Sequence, residues 1–259
     1  MCPQSSSAKH LTSRMLHNCL RIPFMLAALS LAMLVSPITA GAQRYEDFST
    51  KRPLPRGSYL VIGVLGGIES WSSPRRPINV MAADLRDRNL SNVFVETVEH
   101  LHSDLALKLV VDALDQNRDG KLDRHERTSA YIILYGHSMG AATVVKLARN
   151  LQKLDVPVQL TVQVDSIGNG DRDIPANVVH AANFYQRNGV FLRGVPEIRA
   201  LDPKATTILG NFKYDYRHKK VDLSQVSPME RVVGGSHTKM EFDPAVWASV
   251  EQLILDEIK

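Results

Sequence analysis

The sequence predicts an α/β protein with a doubly wound, mostly parallel sheet and helices on both faces. First, short apolar runs of strand length alternate with amphipathic helical segments along most of the chain. This alternation is typical of βαβ units, in which helices cover a parallel sheet. Second, the runs "SYLVIGVLGG" and "YIILYGHSMG" both end in glycine-bearing turns. Functional sites in such sheets form beyond the carboxyl ends of the strands.

Residues 1–42 have the composition of an export signal rather than of a folded core. Three Lys and Arg residues precede the apolar run "IPFMLAALSLAMLV", and "AGA" supplies small residues for cleavage, which we expect after Ala42. The run is too short to span a bilayer comfortably. An uncleaved anchor is the alternative. We therefore predict a secreted or periplasmic protein, with a mature domain at 43–259 and no stable membrane span after cleavage.

Cysteine content and charge exclude two features of the mature domain. Both cysteines, Cys2 and Cys19, fall in the predicted signal, so we expect no disulfide. Without the three basic residues of the signal, 28 Lys and Arg face 27 Asp and Glu, which leaves a net charge of +1. No basic stripe remains, and we therefore expect no nucleic-acid partner.

Four elements are predicted in the first part of the domain. The strand 58–67 ends on two glycines, and 92–98 alternates β-branched residues as a second strand. Between them, 78–88 carries apolar residues at helical spacing. A second helix at 103–114 has Ser103 as its predicted N-cap and leads into an acidic loop.

The second part of the domain continues the alternation. "YIILY", at 131–135, is a continuous apolar run of strand length, and the helix 139–154 follows it directly. The remaining predicted elements are strands at 158–164 and 177–185 and a closing amphipathic helix at 243–259, capped by Asp243.

The residues Gly136-His137-Ser138-Met139-Gly140 match the pattern G-x-S-x-G. They lie where a buried strand turns directly into a helix, which is the setting of a nucleophile elbow. The two glycines are needed because the turn forces the serine into a strained conformation, with strand and helix close together. Ser138 is therefore the candidate nucleophile, near a helix N-terminus that favours negative charge.

A serine nucleophile needs a base to take its proton and an acid to orient that base. After an elbow of this kind, the chain order is Ser, acid, His. His237, on the glycine-bearing loop "GGSHTKM", is the candidate base, since His180 and His218 suit packing and surface positions better. Asp165, which ends the first strand after the nucleophile helix, is the preferred acid. The rival acids are Asp171, Asp173 and Asp202.

Acyl chemistry also needs two backbone N–H groups that bind the developing oxyanion. One is expected from Met139, the residue after the nucleophile, and the other from the loop after an early strand. That loop, "GVLGGIESW", offers Gly66, Gly67 or Ile68 as donors. A simple turn at the end of the strand is the alternative.

The segment "DQNRDGKLDRHE" matches the calcium-loop pattern D-x-[DN]-x-[DN]-G-x5-E. This loop is single and has no partner loop to pack against. We therefore expect it to pack against the domain and to bind Ca²⁺ in a structural role. A solvated acidic turn that binds nothing is the alternative. The predicted ligands are the side chains of Asp115, Asn117, Asp119, Asp123 and Glu126 and the backbone carbonyl of Lys121.

These motifs resemble the α/β-hydrolase superfamily, and more narrowly the secreted bacterial lipase- or esterase-like serine hydrolases that carry an EF-hand-type loop before the nucleophile strand. The likeness covers most of 58–259 and includes "YGHSMGA", "DIPANVVHAANFYQ" and "SHTKMEFDPAVW". It implies an eight-stranded-type sheet and ester or related acyl chemistry. Asp165 departs from the commonest acid position of the superfamily, which is one strand later.

We therefore expect an exported, calcium-stabilised serine hydrolase that cleaves an ester or related acyl bond of a small-molecule or lipid substrate. The alternatives are a non-catalytic calcium-binding surface or envelope module on a hydrolase fold, and acyl transfer to an acceptor other than water. Aromatic residues ahead of the candidate base suit either an acyl pocket or ordinary core. They are Phe184, Tyr185, Phe191, Phe212 and Tyr214.

Overall fold

The computed structural model describes residues 41–67 and 69–258. The predicted export signal therefore lies outside the described residues, except for its last two positions, and so do Ile68 and Lys259. Within the described ranges, no helix is both long enough and apolar enough to cross a membrane.

The central sheet is built from parallel strands. The described chain contains β1 (Ser58–Leu65), β2 (Val93–Glu99), β3 (Ala130–His137), β4 (Val158–Val164), β5 (Asp173–Ile174), β6 (Val178–Gln186), β7 (Arg199–Ala200) and β8 (Thr207–Tyr214). Six of these strands form one sheet in the order β2-β1-β3-β4-β6-β8, and every neighbouring pair is parallel. The short strands β5 and β7 pair only with each other. The parallel sheet is confirmed, but the eight-stranded-type sheet is wrong because these two strands stand apart.

Helices cover both faces of this sheet, which confirms the doubly wound prediction. They are α1 (Pro77–Asp87), α2 (Ser103–Leu114), α3 (Met139–Gln152), α4 (Pro228–Gly234), α5 (Ser236–Glu241) and α6 (Pro244–Glu257). Residues of α2 and α3 pack into one hydrophobic core, and residues of α1 and α6 pack into a second core on the opposite face.

The strands in the middle of the sheet, β1, β3 and β4, are almost entirely buried because both of their faces are covered. Along β1, Leu60, Ile62 and Val64 belong to the core beneath α2 and α3, whereas Tyr59 and Val61 belong to the other core. A strand buried on both faces has no polar side to present to solvent. This explains the continuous apolar runs in the sequence.

The predicted helix caps have different outcomes. Asp243 is the N-cap of α6, and its side chain accepts the N–H of Ala245 at 3.1 Å, as predicted. Ser103 is not an N-cap. A 3-10 turn at His100–His102 runs directly into α2, so Ser103 is already the first residue of the helix.

The sequence did not predict β8, α4 or α5. β8 is an edge strand whose residues, "TILGNFKY", are all at least partly exposed, so it lacks the apolar run of a buried strand. The helices α4 and α5 have seven and six residues. That is too short for helical periodicity to appear in a sequence.

The first turn of α3 lies directly against β1. A Cβ added to Gly140 would lie 2.2 Å from the carbonyl oxygen of Val64 and 2.7 Å from that of Leu65. These are main-chain atoms that cannot rotate away. The helix and the strand can approach this closely only because residue 140 is glycine.

We expect Gly140→Ala to lower the free energy of unfolding by about 3 kcal/mol, because α3 or β1 must shift to admit the methyl group. Gly57→Ala is the matched control. A Cβ there meets nothing within 4 Å, and only the positive φ of 78° opposes it, at a cost of about 1 kcal/mol. Urea denaturation measures both variants, and equal losses would contradict the close contact.

Candidate active site

The candidate site lies where the strand order reverses. From β1 the chain runs to β2 at one edge of the sheet and then returns to β3 on the other side of β1. The neighbouring strands β1, β3 and β4 lead at their carboxyl ends into Gly66, Ser138 and Asp165. A crevice at such a switch point is where open parallel sheets bind ligands.

Ser138 occupies a strained turn between β3 and α3. Its φ is 57° and its ψ is −125°, a conformation that residues with a side chain rarely adopt. A Cβ on Gly136 would lie 2.7 Å from the carbonyl oxygen of Gly140, so the sharpness of the turn requires both glycines of the motif. Ser138 itself is half-buried, which leaves its hydroxyl accessible to a bound molecule.

The structure brings the predicted nucleophile, base and acid into one hydrogen-bonded chain. His237 Nε2 lies 3.0 Å from Ser138 Oγ, and His237 Nδ1 lies 2.7 Å from Asp165 Oδ2. His237 was expected on a loop. It is instead the second residue of the short helix α5, which follows Gly235 with its φ of 53°. The arrangement can therefore take a proton from Ser138 and stabilise the imidazolium that results.

The carboxylate of Asp165 is held by hydrogen bonds that its position in the sequence did not predict. It is fully buried directly after β4, with a φ of 45°. Gln186, at the end of β6, donates its backbone N–H to Oδ1 at 3.1 Å and its side-chain N–H to Oδ2 at 2.8 Å. Two N–H groups of Gln186 and the imidazole of His237 thus surround a carboxylate that is buried from water, and these contacts fix its orientation. No sequence motif predicted Gln186 in this role.

The rival acids have other partners. Asp171 accepts a hydrogen bond from Ser166 Oγ at 2.6 Å, and Asp173 pairs with Arg199 at 2.7 Å. Asp202 accepts the backbone N–H of Lys204 at 2.9 Å. None of these contacts leads to the imidazole of the candidate base.

The predicted oxyanion donors differ in whether their N–H groups already have a hydrogen-bond partner. Met139 is the first residue of α3, so its N–H has no partner within the helix. The N–H of Gly66 donates to Glu69 Oε2 at 3.2 Å, and the structure therefore corrects the prediction for this residue. Gly67, with a φ of 49°, is the loop glycine whose N–H no described contact occupies. Ile68 lies outside the described residues.

His137, the unspecified second position of the G-x-S-x-G motif, packs against the candidate base. Its ring stacks on that of His237, with 4.7 Å between the centroids and 26° between the planes. His137 is 1% exposed, and neither ring nitrogen has a hydrogen-bond partner among the described residues. Burial, followed by the proximity of His237, lowers the pKa of His137 to about 4. The stacked ring is therefore neutral at neutral pH.

A buried acidic cluster adjoins His137. Glu69 Oε1 lies 3.7 Å from His137 Nδ1, and burial raises the pKa of Glu69 to about 7 despite the opposing charge of Arg76. Arg76 also contacts Glu241 at 3.1 Å and Glu230 at 2.7 Å. Ligand atoms of Glu69, His137 and Glu241 lie within 4.8 Å of one another, a spacing that suits a metal ion. Arg76 already supplies a cation there, so we do not assign them to a metal.

The acidic loop ahead of β3 is closed by its own side chains. Glu126 Oε1 accepts the N–H groups of Gln116 and Asn117 at 2.9 and 3.1 Å, which joins the end of the loop to its beginning. Asp115 Oδ2 accepts the N–H of Gly120 at 2.8 Å, and Gly120 has the positive φ of 79° that the sharp turn requires. The predicted ligand positions of the loop offer oxygen donors only, and this is the donor chemistry that Ca²⁺ prefers.

Of the five aromatic residues expected in a pocket or a core, only Phe184 is buried. Phe184 is buried and stacks on Phe212, with 4.9 Å between the ring centroids. Phe212 and Tyr214 lie on the edge strand β8 and border a groove along α6. Phe191, in contrast, is 59% exposed in the segment after β6.

No protein-family model and no curated protein matches this chain. Solved structures resemble it distantly. A cutinase-like protein from Cryptococcus sp. is 13% identical over 77% of this chain and 94% of that chain, with a TM-score of 0.41. The RedJ thioesterase of the prodiginine biosynthetic pathway in Streptomyces coelicolor is 12% identical over 88% and 94%, with a TM-score of 0.39. A hyperthermophilic esterase from the archaeon Pyrobaculum calidifontis is 12% identical over 88% and 91%, with a TM-score of 0.35. These likenesses are too distant to assign a reaction.

Glu69 and His137 have opposite effects on the pH dependence of stability. The folded-state pKa of His137, about 4, lies below the ordinary 6.5, so acidification through this window protonates the unfolded chain first and lowers stability. The folded-state pKa of Glu69, about 7, lies above the ordinary 4.5, so acidification through that window protonates the folded chain first and raises stability. In the wild type the two effects oppose each other.

We expect Glu69→Gln to remove one side of this balance. Its melting temperature should fall more steeply than that of the wild type as the pH is lowered from 6.5 to 4.5, because the Glu69 effect no longer opposes that of His137. Calorimetric melting of both proteins across this range makes the comparison. Parallel slopes would show that the two pKa shifts are not coupled to folding as described.

Proposed function

We propose that this protein is an exported serine hydrolase that cleaves an ester or related acyl bond through an acyl-enzyme. The single observation behind the proposal is the hydrogen-bonded chain from Ser138 through His237 to Asp165, with distances of 3.0 and 2.7 Å. The three residues are far apart in sequence and meet at the carboxyl edge of the sheet. A serine, an imidazole and a buried carboxylate in this order constitute an activated nucleophile.

In the proposed reaction, Ser138 Oγ attacks the acyl carbon while its proton passes to His237 Nε2. Asp165 accepts the hydrogen bond from Nδ1–H, which fixes the tautomer and stabilises the charged imidazole. His237 then returns the proton to the leaving alcohol. Water, activated by the same imidazole, releases the acid from Ser138 and restores the free enzyme.

The oxyanion of each tetrahedral intermediate would bind the N–H groups of Met139 and Gly67. Met139 contributes the first free N–H of α3, where the helix dipole also favours negative charge. Gly67 follows Gly66, whose backbone lies so close to the nucleophile that a Cβ there would be 2.9 Å from Ser138 Cβ. Two preorganised donors of this kind commonly account for a large part of catalysis in acyl transfer.

Exposed apolar side chains favour a substrate with an apolar acyl part. Leu101, Met139, Val190 and Phe191 are all exposed, by 74%, 41%, 76% and 59%. They lie on segments that follow β2, β3 and β6 at the carboxyl edge of the sheet. Apolar surface at this edge suits a small-molecule or lipid ester better than a charged substrate. Export is proposed from the basic and apolar composition of residues 1–42.

We also propose that the loop 115–126 binds calcium in a structural role. When bound, Ca²⁺ would relieve the mutual repulsion of carboxylates crowded into one short loop. The closed loop, with Glu126 bonded to the N–H groups of Gln116 and Asn117, supports this proposal. The side chains of Asp115, Asn117, Asp119, Asp123 and Glu126 and the carbonyl of Lys121 would hold the ion.

Ser138→Ala should abolish covalent labelling by a fluorophosphonate probe, because the probe reacts with an activated serine. Hydrolysis of short-chain p-nitrophenyl esters by the same variant should fall by at least about 10³-fold. Ser72→Ala is the control, since Ser72 is an exposed serine near the loop after β1 and should leave labelling unchanged. A folded wild-type protein that the probe does not label would favour the non-catalytic module instead.

Calcium should raise the melting temperature of the wild type. At about ten times its Kd, one bound ion contributes roughly 1.4 kcal/mol to stability. The double variant Asp115→Asn, Glu126→Gln should lose this gain, whereas probe labelling of Ser138 should persist. Calorimetry with Ca²⁺ or with equal Mg²⁺ tests this, with Asp84→Asn as an exposed control acid. Equal calcium responses in both variants would rule out this loop as the site.

A further inference from the structure

Glu69 holds both polar groups of the Gly66 backbone. Its carboxylate accepts the Gly66 N–H at 3.2 Å, and its own N–H donates to the Gly66 carbonyl at 3.0 Å. One residue thus closes the loop after β1 with a reciprocal pair of hydrogen bonds. The conformation of Gly66 is thereby fixed by a residue three positions later.

This pair of bonds sets the direction of the next N–H. In a trans peptide the carbonyl and the following N–H point in opposite directions. Because the Gly66 carbonyl points toward the N–H of Glu69, the Gly67 N–H points away from Glu69. Gly66 itself lies against the nucleophile, since a Cβ on it would be 2.7 Å from the carbonyl oxygen of His137. The Gly66 N–H is occupied by Glu69, so of the two glycine N–H groups it is that of Gly67 that remains free to donate to a molecule bound at Ser138.

The Glu69 side chain is itself held in place. It is 9% exposed, and its second carboxylate oxygen lies 3.7 Å from Nδ1 of His137, the residue before the nucleophile. Arg76, immediately before α1, faces it with a positive charge that opposes the effect of burial on its pKa. A carboxylate anchored toward β3 and α1 provides a rigid support for the loop after β1.

We propose that Glu69 is a positioning residue of the oxyanion hole. Its carboxylate takes the Gly66 N–H and its own N–H binds the Gly66 carbonyl, and together these bonds hold the Gly66 backbone so that the Gly67 N–H points toward the acyl oxygen bound at Ser138. The inference rests on the proposed function, because it assigns Glu69 a role in that same reaction. Glu69 does not touch the substrate. It acts through the orientation of a single peptide group.

Three variants separate this role from a general effect on the fold. Glu69→Ala removes the acceptor, whereas Glu69→Gln keeps an oxygen that can accept the Gly66 N–H but removes the charge. Glu230→Gln is the control, because it neutralises another acid of the same cluster that contacts Arg76 and not the loop. Two measurements are made on each protein. They are the hydrogen exchange rate of the Gly66 N–H by NMR, and kcat and KM for a p-nitrophenyl ester.

We expect Glu69→Ala to exchange the Gly66 N–H at least tenfold faster and to lose roughly tenfold to a hundredfold in kcat, with little change in KM, since oxyanion contacts form in the transition state. Glu69→Gln should recover most of both losses, and Glu230→Gln should show neither. Unchanged Gly66 exchange in Glu69→Ala would overturn the inference even if the wild type proved inactive. Fast exchange with an unchanged kcat in an active enzyme would also overturn it. A wild type that does not hydrolyse the ester refutes the proposed function separately.

Discussion

The close approach of α3 to β1 is the constraint on which the whole site depends. Gly140 sits against the carbonyl oxygen of Val64, and at this distance the chain must turn from β3 into α3 almost without a loop. That turn forces Ser138 into its left-handed conformation and places it beside Gly66 at the end of the neighbouring strand. Ser138 and the loop after β1 are therefore adjacent because of a backbone contact. No side chain of either segment needs to attract the other.

Two buried carboxylates near His237 are solvated by the protein in different ways. Asp165 accepts two hydrogen bonds from Gln186 in addition to its contact with the imidazole, so both of its oxygens have fixed partners. Glu69 receives one backbone N–H, and burial raises its pKa to about 7 against the influence of Arg76. The charge of His237 also stabilises the Glu69 anion.

The sequence predicted those site residues whose positions follow from backbone geometry. The strained position of Ser138 demands glycines at fixed spacing, and Asp165 could be chosen because it ends a strand next to the nucleophile strand. His237 was predicted from the chain order, from its glycine-bearing segment and from the poorer fit of the other histidines, although its short helix was not predicted. Residues that act through contacts in the folded protein show no recognisable pattern in the sequence. Glu69 lies outside every motif, and Gly66 was assigned as a donor because its side-chain partner three residues later is visible only in the folded loop.

If the acidic loop binds calcium as proposed, its position makes the effect of the ion stabilising rather than catalytic. The side chain of Gln116 donates to the carbonyl of Leu54 at 2.9 Å, so the loop is bonded to the segment that precedes β1. The loop ends at Glu126, and β3 begins at Ala130. Ser138 lies beyond the opposite end of β3, roughly 25 Å away at the rise of an extended strand. An ion at this distance cannot orient the reacting groups directly, but it can fix where the nucleophile strand enters the sheet.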